Sequence, residues 1–255
     1  MQIWKHAVNT RTLLNQVLSS DKYNCIEADV TWNNNFNKPV MKHESVSSGS
    51  YSDEFLFENF IKIILNSDWL HKNEQKIVKL DFKNIDCVNS CIEYIKQCRL
   101  HNIENNLNIW LNADILKGPG KSHSQPLNAT KFINDCEKLN NATLSVGWTT
   151  SFSILERTSE LYSKEMISKM LKLTEHLDMN VTFPLRASLV RQSWNNVNKL
   201  INHNRSLTIW TGSEGVPQSD LDWMMQKGIT QFDVEKGCKD DWLSWKRVLY
   251  YAEKI

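Results

Sequence analysis

Short apolar and β-branched runs alternate along this chain with longer stretches whose apolar residues recur every three or four positions. The short runs, at residues 3–8, 25–30, 76–83, 107–115, 143–149, 180–186, 206–212 and 229–235, predict eight strands. The spacing between them predicts helices over 55–70, 87–100, 163–176, 189–203 and 221–227, with a last helix over 240–253. Strand–helix alternation implies parallel strands joined by crossovers, and eight repeats imply closure into a (β/α)8 TIM barrel. An open, doubly wound sheet is the alternative architecture. The segment 31–51 breaks the pattern: it is polar and rich in Asn, Ser and Gly. It predicts a long loop after the second strand, with a short extended piece carrying His43. Long loops at barrel-strand ends are more often functional than decorative. A second loop, 117–125 (KGPGKSHSQ), follows the fourth strand.

The length of 255 residues fits one barrel, so a single domain over 1–255 is expected. Lysines and arginines nearly balance the acids, for a formal net charge of +1. That argues against a polybasic nucleic-acid surface or an acidic tail. No apolar run is long enough to span a membrane, and MQIWKHAVNT lacks the apolar stretch of a secretory signal. A cytoplasmic or otherwise soluble protein is expected. Among six cysteines, Cys87, Cys91 and Cys98 share one predicted helix face and read as buried, reduced thiols. The sequons at Asn128, Asn141, Asn180 and Asn204 reflect a chain rich in Asn and do not argue for secretion.

The candidate chemistry lies on the strands. Glu27 and Asp29 are two apart in Cys25-Ile-Glu-Ala-Asp-Val30, so both point to one face. In Lys79-Leu-Asp-Phe-Lys83, residues Lys79, Asp81 and Lys83 likewise share a face. Adjacent strands would then bring three carboxylates to one point, which is costly without a cation. Hard oxygen ligands favour Mg²⁺, with Ca²⁺ or Mn²⁺ as substitutes, and Mg²⁺ accepts phosphate oxygens. The competing explanation is an ion-pair network in which Lys79 and Lys83 neutralise the acids. His6, near the end of the first strand, and His43, after the second, flank the acidic residues. Such a pair can divide acid and base work, worth roughly 10²–10⁴-fold in rate. Histidines 71, 101, 123, 176 and 203 fall on predicted helices or loops and take no role.

His6, Ile26-Glu-Ala-Asp-Val30, Val40-Met-Lys-His-Glu44 and Asp81-Phe-Lys83 follow an order that resembles the glycerophosphodiester phosphodiesterases and the spider-venom sphingomyelinase D enzymes. The resemblance implies His6 and His43 as acid and base, Glu27, Asp29 and Asp81 as Mg²⁺ ligands, and Lys83 as a substrate contact. Trp210-Thr211 resembles a late Trp-Thr motif of those enzymes.

A closer resemblance is to the menorin family. It runs through His6-Ala-Val-Asn9, Ile26-Glu-Ala-Asp-Val30, Lys79-Leu-Asp-Phe-Lys83, Trp110-Leu-Asn-Ala-Asp-Ile-Leu116 and Leu144-Ser-Val-Gly-Trp-Thr-Thr150. It continues through Val181-Thr-Phe-Pro-Leu-Arg-Ala187 and Leu207-Thr-Ile-Trp-Thr-Gly212. One position departs from the glycerophosphodiesterases: Ala7 stands where most have a phosphate-gripping arginine. Asn9 resembles the venom enzymes instead, and Arg186 is a candidate for the missing charge.

The expected function is a Mg²⁺-dependent phosphodiesterase, performing hydrolysis or intramolecular transfer. His6 and His43 are its catalytic pair, and Asn9, Lys83, Asn112, Arg186 and Trp210 its substrate contacts. Asp114 shares the strand face of Asn112. Substrates would be a phosphodiester small molecule, a lipid or an oligonucleotide. Attack by water gives hydrolysis; attack by a neighbouring hydroxyl gives a cyclic phosphate. The alternative is a catalytically silent, menorin-like interaction module that binds protein partners in adhesion or neuronal patterning.

Overall fold

Alternation of apolar residues on the strands and amphipathic spacing on the helices builds two layers around one sheet. In the computed structural model, residues 2–43, 55–71, 75–101, 107–120, 122, 124–150, 160–211 and 216–234 are described. Strands β1 (Trp4–Lys5), β2 (Cys25–Asn33), β4 (Lys76–Phe82), β5 (Leu107–Lys117), β6 (Thr143–Thr149), β7 (Val181–Arg186), β8 (Arg205–Thr211) and β9 (Gln231–Val234) lie side by side in that order, each parallel to its neighbour. Helices α1 (Arg11–Leu18), α2 (Phe57–Leu65), α3 (Val88–His101), α4 (Ala129–Cys136), α5 (Lys164–Thr174), α6 (Ala187–Val197) and α7 (Gln218–Gln226) return the chain between strands. The result is a near-closed (β/α)8 barrel, and the open doubly wound sheet is excluded. The expected helix over 240–253 lies outside the described residues.

Alternate strand residues face the helices and form the main core. On β2 these are Ile26, Ala28 and Val30, all fully buried with Leu14, Phe60, Val78, Leu111 and Val146. Leu14 and Val17 dock α1, whose start is fixed by Thr10 accepting from the Leu13 N–H at 3.2 Å. Asn128 caps α4 and Ser163 caps α5 in the same way. The opposite faces of the strands point into the barrel. Trp4, Cys25, Ile77 and Trp110 form a small apolar plug there. Beyond the plug, along the strand direction, the interior becomes polar.

Two elements differ from expectation. The segment 31–51 does not leave the sheet at once. β2 continues to Asn33, and β3 (Lys38–Met41) folds back antiparallel, pairing Val30 with Met41 and Asn33 with Lys38. Asn33 accepts backbone N–H bonds from Asn35 and Phe36, and Asn37 takes φ 50°, which closes the turn. Residues 44–54 lie outside the description. β1 is shorter than expected because the backbone turns at Ala7, which takes φ 50°. The cysteines behave as buried thiols where described: Cys25, Cys87, Cys91 and Cys136 are buried, Cys98 half-buried, and none is bridged. No helix among the described residues is long and apolar enough to cross a membrane.

Candidate active site

Register places the chemistry. β2 and β4 pair Glu27 with Lys79 and Asp29 with Asp81, and β4 and β5 pair Asp81 with Asn112. The same face of β6 adds Ser145 opposite Asn112. Parallel strands in register therefore stack these side chains at the C-terminal mouth. Carboxylate oxygens of Glu27, Asp29 and Asp81 lie within 4.8 Å of one another.

Hydrogen bonds fix each oxygen. Asn9 donates from Nδ2 to Asp29 Oδ2 (2.7 Å), and its Oδ1 accepts the Asp29 N–H (2.9 Å). The Ala7 N–H donates to Glu27 Oε2 at 2.9 Å. The left-handed turn at Ala7 thus aims a backbone donor at Glu27. Asn112 donates to Asp81 Oδ1 (2.9 Å) and accepts from Ser145 Oγ (2.6 Å). Lys83 Nζ bridges Asp81 Oδ2 at 2.6 Å and Asp29 Oδ1 at 3.1 Å.

The electrostatics follow from crowding. Burial, then the charge of Glu27, holds the Asp29 carboxyl above its ordinary range, against the pull of Lys83. Asp81 feels burial too, but Lys83 and Lys79 outweigh it and hold its carboxyl low. Burial opposes the charge on Lys83, yet Asp81 and Asp29 keep it protonated. Asp114 reaches solvent at the mouth but is enclosed by protein on its other sides. That enclosure, with the charge of Asp81, lifts its carboxyl to about 6. Solvent access blunts what this shift contributes to stability.

The structure brings His6, Asn9, Glu27, Asp29, Asp81, Lys83 and Asn112 together. His6 is partly exposed, with Nδ1 3.4 Å from Glu27 Oε2. His43 follows β3 by two residues, where the Lys42 N–H donates to the Asp29 carbonyl at 3.0 Å. Its side chain is exposed and makes no ion pair with the cluster among the described residues. Arg186 and Trp210 are register partners on β7 and β8, on the far side of the mouth. Arg186 is buried and donates its backbone N–H to the Tyr162 hydroxyl at 3.0 Å.

One charged residue escaped the sequence analysis. Asp233 on β9 pairs in register with Trp210 and is 1 % exposed. Its Oδ1 meets His6 Nε2, and its Oδ2 accepts from Lys79 Nζ at 2.8 Å. Its only signal in the sequence is same-face spacing with Gln231 on the last strand. A cavity of about 280 Å³ lies at the opposite end, lined by Gln2, Asn108, Trp110, Asn180, Arg205 and Gln231. Its lining residues sit toward the N-terminal ends of the strands and the acids toward the C-terminal ends, so the mouth is the better candidate site.

Comparison with known proteins now bears on this geometry. The family model of the Menorin N-terminal domain matches residues 2–232. Human Protein FAM151B is 33% identical over 215 residues, which cover 82% of this chain and 72% of that protein. A crystal structure assigned as a glycerophosphodiester phosphodiesterase from Galdieria sulphuraria superposes with a TM-score of 0.51, covering 92% of this chain and 94% of that one. At 8% identity that likeness establishes the fold alone. With most of its length matched by the family model and by a relative of this similarity, the chain belongs to the menorin family.

Proposed function

We propose that the protein is a divalent-metal-dependent phosphodiesterase, most consistent with Mg²⁺. The observation that carries this is the convergence of three carboxylates at the mouth, with His6 beside them. The donor set fits a hard cation: all three ligands are carboxylates, and no cysteine of the described residues joins them. A bound cation would neutralise phosphate charge and stabilise the charge developing in the transition state.

The chain's own residues supply the rest. Asn9 and Asn112 orient Asp29 and Asp81 so that the carboxylates converge. Lys83, partly exposed at the mouth, pairs with a phosphate oxygen of the substrate. Arg186 and Trp210 line the opposite wall, for the phosphate and for an apolar substrate group. His6 and His43 move protons to and from the attacking and leaving oxygens. Lysolipids, glycerophosphodiesters and short oligonucleotides are the substrate classes to screen.

His6→Asn and His43→Asn should each lower kcat by at least about 100-fold on a confirmed diester, with circular dichroism unchanged. The double variant should lose little more than either single one, because the two act as a unit. Exposed His176 is the control, and His176→Asn should match wild type. Wild-type turnover by His43→Asn would end the two-histidine reading.

A second reading has one observation in its favour. Lys83 and Lys79 already compensate Asp81, Asp29 and Asp233 without any cation. On that reading the barrel is a binding module for a protein partner. It becomes the better one if no diester is turned over under any metal condition.

A further inference from the structure

Asp233 belongs to none of the motifs that mark the mouth, yet it makes two charged contacts deep in the barrel. We infer that Asp233 is a positioning residue for His6: it holds the Nε2 side of the ring and so turns the Nδ1 side toward the carboxylate cluster. This rests on the proposal that His6 is an acid–base group.

The geometry argues it in three steps. Asp233 cannot swing away, because its second oxygen is tied to Lys79 Nζ at 2.8 Å. Lys79 is itself pinned: it is buried, comes from β4, and lies over the Trp4 ring at 5.6 Å. Asp233 therefore reaches His6 from a clamped position. Second, Asp233 stays an anion. Burial opposes its charge, but Lys79 and His6 hold the carboxyl down at about 2. An ionised carboxylate only accepts hydrogen bonds, so the Nε2 beside it must carry a proton. Third, the two ring nitrogens face different carboxylates: with Nε2 against Asp233, Nδ1 is turned to the other side, 3.4 Å from Glu27 Oε2. A carboxylate behind an imidazole also fixes its tautomer and supports the charged ring. The arrangement differs from a mere surface pair, since both Asp233 oxygens are committed and the side chain is shielded from solvent.

The contact has a structural side as well. β1 and β9 are the two ends of the sheet order, and no backbone ladder joins them among the described residues. His6 and Asp233 span that seam. The test therefore needs a readout that loss of packing alone would not give.

Histidine-labelled wild type, studied by ¹⁵N NMR in Mg²⁺ buffer, supplies it without any variant. The expected result is a His6 Nε2 proton that is hydrogen-bonded, shifted downfield and slow to exchange with water. In Asp233→Asn that signal should move upfield or vanish. The same variant should lower kcat on a confirmed diester by at least about 100-fold, with KM changed only a few-fold. If wild type turns over no diester yet shows the protected Nε2 proton, the phosphodiesterase reading fails and the positioning by Asp233 stands. An unprotonated or freely exchanging Nε2 in wild type overturns the inference. So does a folded Asp233→Asn protein with full turnover.

Discussion

At the residue scale, the polar interior works by mutual constraint. Glu27, Asp29 and Asp81 are each held by a donor from outside their own position: the Ala7 N–H and Asn9 from the turn after β1, Asn112 from β5 and Lys83 just past β4. Asp233 shows how strongly such pairing acts on protonation. Its carboxyl sits at about 2, below the unfolded value of 3.8. A depressed carboxylate contributes stability that is present above the unfolded value and lost as pH falls through the folded one. Wild type should therefore lose about 2 kcal/mol between pH ~4 and ~2 from this group alone. Asp233→Asn should be less stable at neutral pH, because Lys79 is left buried without its partner. It should also show a flatter acid limb in urea unfolding measured across that window. An equally steep limb in the variant would contradict the assignment. The carboxylate pair and its lysine were legible as residues, because spacing by two on a strand is unambiguous. Asp233 was not, because its same-face neighbour on the last strand is the uncharged Gln231, and its contact with Lys79 joins positions more than 150 residues apart.

At the element scale, periodicity identified all eight parallel strands, the central ones by an outward-facing apolar row such as Ile26, Ala28 and Val30 on β2. The helices α1 and α4 were not anticipated. Both have only eight residues, too few turns for an apolar stripe to stand out, and both are set by caps and docking. The β2–β3 hairpin was hidden for a related reason. Its second strand is four residues long and contains Pro39, which an edge position tolerates because its missing N–H can face away from the ladder. Between β6 and β7 the fit is close: a Cβ added at Gly147 would stand 2.9 Å from Pro184 Cγ and 3.0 Å from Asp114 Oδ1. Pro184 is rigid and sits in β7, so it cannot yield easily. Gly147→Ala should cost about 1–3 kcal/mol in urea unfolding and displace Asp114 at the mouth. A variant as stable as wild type would mean that β6 and β7 have slack that the distances deny.

At the scale of the whole molecule, a near-closed barrel gathers chemistry from strands remote in sequence and leaves it open at one end. Register turned two short motifs, one on β2 and one on β4, into a single acidic cluster. That consequence could be foreseen once the parallel barrel was assumed. The closing of the seam by His6 and Asp233 could not, because it depends on how far the last strand slides against the first. Crowded carboxylates should make the fold respond to cations. Saturating Mg²⁺ should raise the melting temperature of wild type, by about 2.7 kcal/mol of stability at one hundred times the dissociation constant. Asp29→Ala should respond far less. An equal rise in both would place the ion elsewhere. Whether this barrel acts on phosphodiesters is decided most directly by ³¹P NMR of wild-type protein with lysolipid and glycerophosphodiester substrates, with Mg²⁺ and again after chelation. The account predicts loss of the diester resonance and growth of a monoester or cyclic phosphate resonance, only while the metal is present and not with Asp81→Asn. A diester signal that stays unchanged in every mixture, with folded protein and saturating metal, would contradict it.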